Sequence, residues 1–247
     1  MAMDGQVPRG AWTPRSGRRS NAKLFARRCT RGLPVHPLDI DRASSLCLSP
    51  LPGKMAGIFG EGAAGLVLRT LAGPLLRGET VVAVDGGNRF DPYEIGKAAR
   101  ALGGDGREAL SRIRVSRAFT CHQMEALLSR RLPGALSRFD ARLALIMGLP
   151  ESFSDADVPY AEACRVFRHC LSALRRIALS GTRVVLVGRG EPPAKSYHSV
   201  GPAPANRSGF FRYLLRTADP VLLLQRSEER RAWELRRAEA RLARGDF

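Results

Sequence analysis

Beyond residue 54 the chain alternates short apolar runs with longer stretches whose apolar positions recur every three or four residues. The short runs are Val81-Val82-Ala83-Val84, closed by Asp85; Ile113-Arg114-Val115; Leu143-Ala144-Leu145-Ile146-Met147; Val184-Val185-Leu186-Val187; and Val221-Leu222-Leu223-Leu224. Runs this short and this apolar predict strands buried on both faces, as in a parallel sheet. Between them the periodicity predicts helices over Ala64–Leu76, Pro92–Leu102, His122–Leu132 and from about Ala156 to Leu179. Pro92 suits a first helical turn, and Gly103-Gly104 and Pro133-Gly134 are stop signals. In the longest helix Phe167, Cys170, Leu171, Leu174 and Ile177 share one face, while Arg165, Arg168, Arg175 and Arg176 fall elsewhere. Strands alternating with helices imply right-handed crossovers and an α/β fold, with a doubly wound, mostly parallel sheet flanked by helices.

The pattern fails at both ends of the chain. Residues 1–54 are dominated by Pro, Gly, Ser and Arg and read as a basic, flexible arm carrying Arg15, Arg18, Arg19, Lys23, Arg27, Arg28 and Arg31. A solvated leader and a phosphate-contacting arm are both open readings of it. Residues 55–237 read as the core domain and 238–247 as a charged tail. Within the core, Gly188–Gly209 is a long Gly-, Pro- and Ser-rich loop just past the fourth run. Open α/β sheets bind ligands at that edge.

Composition then narrows the partner. The 247 residues are 44% hydrophobic, enough for a packed core, and carry a formal net charge of +17. Such a charge favours polyanions: nucleic acid or an acidic membrane surface. Lys23, Lys54, Lys97 and Lys195 are the lysines and arginine supplies the rest, a skew that GC-rich coding also produces. Cys29, Cys47, Cys121, Cys164 and Cys170 form no C-x-x-C pair, which argues against a disulfide framework or a zinc site and fits a reducing cytoplasm. His36, His122, His169 and His198 are scattered, so no metal is expected. Cys121 and His122 adjoin in sequence and read as structural residues. No apolar run approaches the roughly 20 residues of a membrane span.

One stretch carries a chemical signal. Gly60-Glu61-Gly62-Ala63-Ala64-Gly65 places two glycines at phosphate-loop spacing before a helix. Leu66 and Val67 follow, where that motif needs a lysine for the phosphates and a hydroxyl for magnesium. Backbone N–H groups at the helix start could still meet an anion.

The surrounding segments resemble the RecA/RadA recombinase family. After the next strand come Val84-Asp85, Phe90 and Pro92, and after the one beyond it Arg117-Ala118-Phe119-Thr120-Cys121-His122-Gln123. The first is similar to that family's acid and F-x-P turn, the second to its A-R-A-F-[NT]-x-x-H-Q-like segment. Thr217-Ala218-Asp219, Val221–Leu224 and Ala232–Leu235 resemble its closing C-terminal hairpin. The likeness spans about Gly57 to Arg237.

The resemblance implies a RecA-like core and DNA contact through the loops after the third and fourth strands. In the second of these loops Arg189, Lys195, Tyr197 and Arg207 are the candidate DNA-binding residues; in the first, Glu151, Asp155 and Asp157 disfavour phosphate. It also implies lost chemistry. Gly87 stands where the family has a catalytic glutamate, and Met147-Gly148 where it has a magnesium-binding aspartate. The expectation is a degenerate, cytoplasmic accessory of DNA recombination or repair, with no catalytic residue, metal or cofactor. ATP binding is doubtful on these residues. Its partners would be DNA, single-stranded in preference, and a RecA-type protein or a second copy of the chain. An ATPase completed by a partner, with Lys54 as substitute lysine, and a regulatory module are the alternatives.

Overall fold

The computed structural model describes Ser45 and residues 53–153, 157–190, 208–218, 220–227 and 232–237. Seven strands form one sheet: β1 (Met55–Phe59), β2 (Val81–Asp85), β3 (Ile113–Arg117), β4 (Leu143–Met147), β5 (Arg183–Gly188), β6 (Val221–Ser227) and β7 (Ala232–Arg237). Their order is β3-β2-β4-β5-β1-β6-β7. β1 to β6 run parallel, and β7 returns antiparallel along β6 as a hairpin. The five expected runs are β2 to β6. β1 is an addition: its apolar run is interrupted by Gly57, yet all of its residues are buried between β5 and β6.

The helices are α1 (Ala63–Thr70), α2 (Ala72–Leu76), α3 (Pro92–Ala101), α4 (Gly106–Ser111), α5 (Cys121–Ala126), α6 (Leu132–Arg138), α7 (Tyr160–Leu179) and α8 (Ser208–Thr217). The helix expected over Ala64–Leu76 is broken at Leu71, because Pro74 has no N–H to carry the ladder through. The stop expected at Pro133-Gly134 does not occur. A π-helical turn, Leu127–Arg131, leads into α6, and Pro133 falls in its first two positions, where no donor is needed. α7 starts at Tyr160, later than expected, directly after Pro159. α4 and α8 carry no sequence expectation.

The alternation of side chains splits the core into two layers. Val82, Val84, Ala144, Ile146, Val184 and Leu186 face the layer of α5, α6, α7 and α8. Val81, Ala83, Leu143, Leu145, Met147 and Val187 face the layer of α1 to α4. A sheet covered on both faces has no need of polar alternation, which is why β2, β4 and β5 read as unbroken apolar runs; β3, expected to be buried, lies at the sheet edge with only Ile113 buried. α8 is held by aromatic contacts: Phe210 lies 4.9 Å from Phe167, and Phe211 lies 5.1 Å from Phe59 in β1. Among the described residues, no helix is long and apolar enough to cross a membrane.

Candidate functional site

Because β1 to β5 are parallel, the segments that follow them meet at one edge. Gly60 follows β1, Gly86–Pro92 follows β2, Ala118–Gln123 follows β3, Gly148 follows β4 and Arg189 follows β5. Direct contacts join them. The Gly60 N–H donates to Gly188 O at 3.0 Å, Gly86 N–H to Met147 O at 2.8 Å, and Gly148 N–H to Val187 O at 2.7 Å.

The glycine frame at Gly60–Gly65 forms a tighter turn than a phosphate cradle. α1 begins at Ala63, so Ala63, Ala64 and Gly65 are helical and the turn reduces to Gly60-Glu61-Gly62. The Ala63 N–H donates back to Gly60 O, and the Leu66 N–H to Gly62 O. Gly60 has a local reason to be glycine. Its φ is 128°, and a Cβ there would lie 2.1 Å from Leu224 O of β6. One turn on, Arg69 is buried, with Nε 3.1 Å from Gly65 O and 2.9 Å from Glu94 Oε2 on α3.

Leu66, Val67 and Met147 stand at the lysine, hydroxyl and aspartate positions of the resemblance. All three are buried members of the same apolar cluster between α1 and the sheet. The positions are therefore built into the core. Lys54 cannot replace the lysine within one chain: it precedes β1, whose five residues span about 17 Å at 3.3 Å per residue, so it lies at the opposite edge from Gly60.

Gly87 and Gly148, the two positions of missing acids at glycine, touch. A Cβ on Gly148 would lie 2.5 Å from Gly87 N, and the Gly148 φ is 70°. Ser152 closes the same junction, donating its hydroxyl to Gly148 O at 2.9 Å and Gly86 O at 3.2 Å.

Asp85 closes β2 at this edge, and its work is structural. Its Oδ1 accepts from the N–H of Gly87 and Arg89, and its Oδ2 from that of Phe90, at 3.0–3.2 Å. Arg117 Nε stands 3.9 Å from Oδ2. The turn it holds delivers Asp91, which caps α3 by accepting from Tyr93 N–H, and Pro92 in the first turn. The Arg117–Gln123 segment is also explained locally. Thr120 caps α5 by accepting from Gln123 N–H, while Gln123 Oε1 reaches back to accept from Phe119 N–H, one residue before the cap. Cys121 is buried, and His122 Nε2 lies 3.4 Å from Glu162 on α7, so the two point to different neighbours. Burial, with Glu125 and Cys121 nearby, pushes the Cys170 thiol up to about 12.

Glu151 is the residue that sequence reasoning undervalued. It follows β4, and its Oε1 accepts a short hydrogen bond from Arg189 N–H beyond β5. Its Oε2 is buried and finds no hydrogen-bond partner among the described residues. Burial pushes its carboxyl above the ordinary carboxylate range, against the lowering effect of the backbone donors. The signal was the acid just past a strand end, in Gly148-Leu149-Pro150-Glu151. One carboxylate is no metal site, and no group of three or more metal-ligating side chains occurs among the described residues.

Of the candidate DNA-binding residues, Arg189 is exposed at the end of β5, its backbone tied to Glu151. Lys195, Tyr197 and Arg207 lie outside the described residues, as do Asp155, the basic arm apart from Ser45, Gly53 and Lys54, and the tail 238–247. No protein-family model matches the chain, and no curated protein matches it.

Proposed function

We propose that this chain is a catalytically degenerate RecA-like protein and a cytoplasmic accessory of DNA recombination or repair. It binds DNA, single strands in preference, or a RecA-type partner, and does not hydrolyse ATP by itself. One observation carries the reading. The segments that hold the resemblance converge on one edge of a parallel sheet, while Leu66, Val67 and Met147 at its reactive positions are buried in the apolar core. Convergence accounts for the retained turns and caps as scaffold. Burial accounts for the missing chemistry, since removing a phosphoryl-transfer clamp lowers the rate by several orders of magnitude.

The test pairs two measurements on the full chain. Fluorescence anisotropy with labelled single-stranded DNA should show binding that weakens as salt rises. A fluorescent ATP analogue should show neither saturable binding nor turnover. DNA binding that is absent at low salt, or indifferent to salt, would sink the DNA reading; ATP turnover by the chain alone would sink the degenerate one.

A second reading, a regulatory protein-interaction module of cell division or of a repair polymerase, draws on a different observation. Tyr93 and Phe119 are 78% and 74% exposed beside the same edge. Solvent-facing aromatics of this size favour a protein partner. Recovery of a partner that survives nuclease treatment would favour this reading over direct DNA contact.

A further inference from the structure

Both edges of the sheet carry both signs of charge, and arginines cluster at the N-terminal one, while Arg89, Arg117 and Arg189 stand among acids at the C-terminal one. At the C-terminal edge, Glu61, Asp91, Asp157 and Glu162 accompany buried Asp85 and half-buried Glu151. At the N-terminal edge, an open groove of about 600 Å³ is lined by Arg77, Glu79, Phe139, Asp140, Arg142 and Arg183 among others. Arg114 and Arg138 stand beside it, with guanidinium carbons 5.0 and 5.5 Å from the centre of the Phe139 ring. We propose that this N-terminal edge is the surface that binds the phosphate backbone of single-stranded DNA. The proposal rests on the nucleic-acid reading above and moves the contact away from the loop after β5 to the opposite edge.

Helix ends explain part of the basic cluster. Arg77 and Arg138 lie at the C-termini of α2 and α6, where cations complement the helix dipole. Arg114, Arg142 and Arg183 belong to strands or precede them, so the dipole does not account for them. Arg183 is held by Glu79 at 2.5 Å, and Arg77 shares the same carboxylate at 2.9 Å. Burial pushes the Glu79 carboxyl up, but hydrogen bonds and charge from Arg183 and Arg77 together leave it below the ordinary value. One carboxylate thus serves two guanidinium groups. Arg142 is exposed, and among the described residues nothing pairs with its guanidinium; only its backbone carbonyl is used, by Arg183.

The register brings these cations to the same end of the sheet. Ile113 pairs with Val81, Val81 with Leu143, and Leu143 with Arg183. Arg183 is level with Leu143 and Val81, Arg142 lies one residue before that level and Arg114 one residue beyond it, so the three are staggered near the start of the strands across β3, β2, β4 and β5. Forked donors spread over several strands fit a polymer charged at every repeat better than an isolated anion. The Phe139 ring holds Arg114 and Arg138 beside the groove; Arg114 Nη1 already donates to Ser111 O at 2.6 Å, which leaves the rest of its guanidinium and that of Arg138 for phosphate.

The experiment is anisotropy of a labelled oligothymidine with the full chain, from about 50 to about 200 mM salt. Wild type should bind with strong salt dependence. Arg138→Glu with Arg142→Glu should weaken binding about tenfold or more and lower the log–log salt slope by about 1.4, two phosphate contacts' worth. Arg165→Glu with Arg168→Glu on α7 changes the net charge equally and should stay within about twofold of wild type. Arg142→Ala alone, which disturbs no pairing, should weaken binding about threefold and keeps the test open if the double variant fails to fold. Wild-type affinity in the groove variants, or equal losses in the α7 control, would overturn this surface while leaving DNA binding intact. No binding by wild type would overturn the DNA reading itself.

Discussion

Gly148 packs backbone against backbone on Gly87: a Cβ at position 148 would lie 2.5 Å from the Gly87 nitrogen and 2.8 Å from its Cα. The space that an aspartate would occupy at Gly148 is filled by main chain, and Gly148 further needs its φ of 70°. Gly148→Asp should therefore destabilise the fold by about 2–4 kcal/mol and restore no ATP turnover. Gly87→Glu meets only the flexible Arg89 side chain, at 3.2 Å, and should change stability by less than about 1 kcal/mol, also without turnover. Denaturant unfolding and phosphate release check both. A stable Gly148→Asp protein would show that this junction is looser than described.

Asp85 and Phe90 make a second junction of the same edge. Asp85→Ala would strand three backbone N–H groups that the carboxylate now satisfies, at Gly87, Arg89 and Phe90. The expected loss is about 3 kcal/mol, with faster hydrogen exchange at those three amides. Arg117→Ala, by contrast, removes a half-exposed partner 3.9 Å away and should change stability by about 0.5 kcal/mol or less. Equal effects from the two substitutions would contradict a structural role centred on the carboxylate.

Glu151 gives the chain a pH signature. Burial raises its folded-state pKa above the ordinary 4.5. The folded chain therefore holds this proton more tightly than the unfolded chain does, and stability falls as pH rises from about 4.5 through the folded-state value. Glu151→Gln keeps an oxygen for the Arg189 N–H and removes the buried charge. It should be more stable than wild type by about 1 kcal/mol at neutral pH and show no advantage at acid pH. Glu79 has the opposite sign. Its lowered carboxyl contributes stability that is present above 4.5 and lost as pH falls below it, so Glu79→Gln should narrow the difference from wild type in acid. Urea midpoints across the pH range separate the two groups.

Much of this architecture was legible because a sheet buried on both faces writes itself as apolar runs. Val81–Val84 and Leu143–Met147 needed no partner to be read, nor did the buried face of α7 at Phe167 and Leu174. β1 was not read because Gly57 breaks its run, and the α5–α6 junction was misread because Pro133 is as welcome at a helix start as at a stop. At the site, the absence of acids at Gly87, Met147 and Gly148 was visible in sequence. That Gly87 and Gly148 touch was not, since they are brought together only by pairing of β2 with β4. The arginine cluster was hidden for the same reason: Arg114, Arg142 and Arg183 are remote in the chain and come to one end of the sheet only through strand pairing.

Asp140 joins the groove to the helix behind it. It follows α6 with φ 46°, in the left-handed region, while Ala141 N–H bonds Leu136 O at 2.9 Å and Asp140 N–H bonds Ser137 O at 3.3 Å. That is a Schellman ending, with aspartate where glycine is least strained. Asp140→Gly should stabilise the chain by about 0.5–1 kcal/mol. It should also tighten single-stranded DNA binding about twofold, because an acid leaves a groove lined by Arg77, Arg142 and Arg183. Asp140→Asn separates the two effects. Asparagine tolerates the same φ, so stability should stay within about 0.5 kcal/mol of wild type while DNA binding tightens as in the glycine variant. Thermal unfolding reads the first effect and anisotropy the second. Unchanged DNA affinity in both variants, in a chain that does bind DNA, would place the nucleic acid elsewhere than this edge.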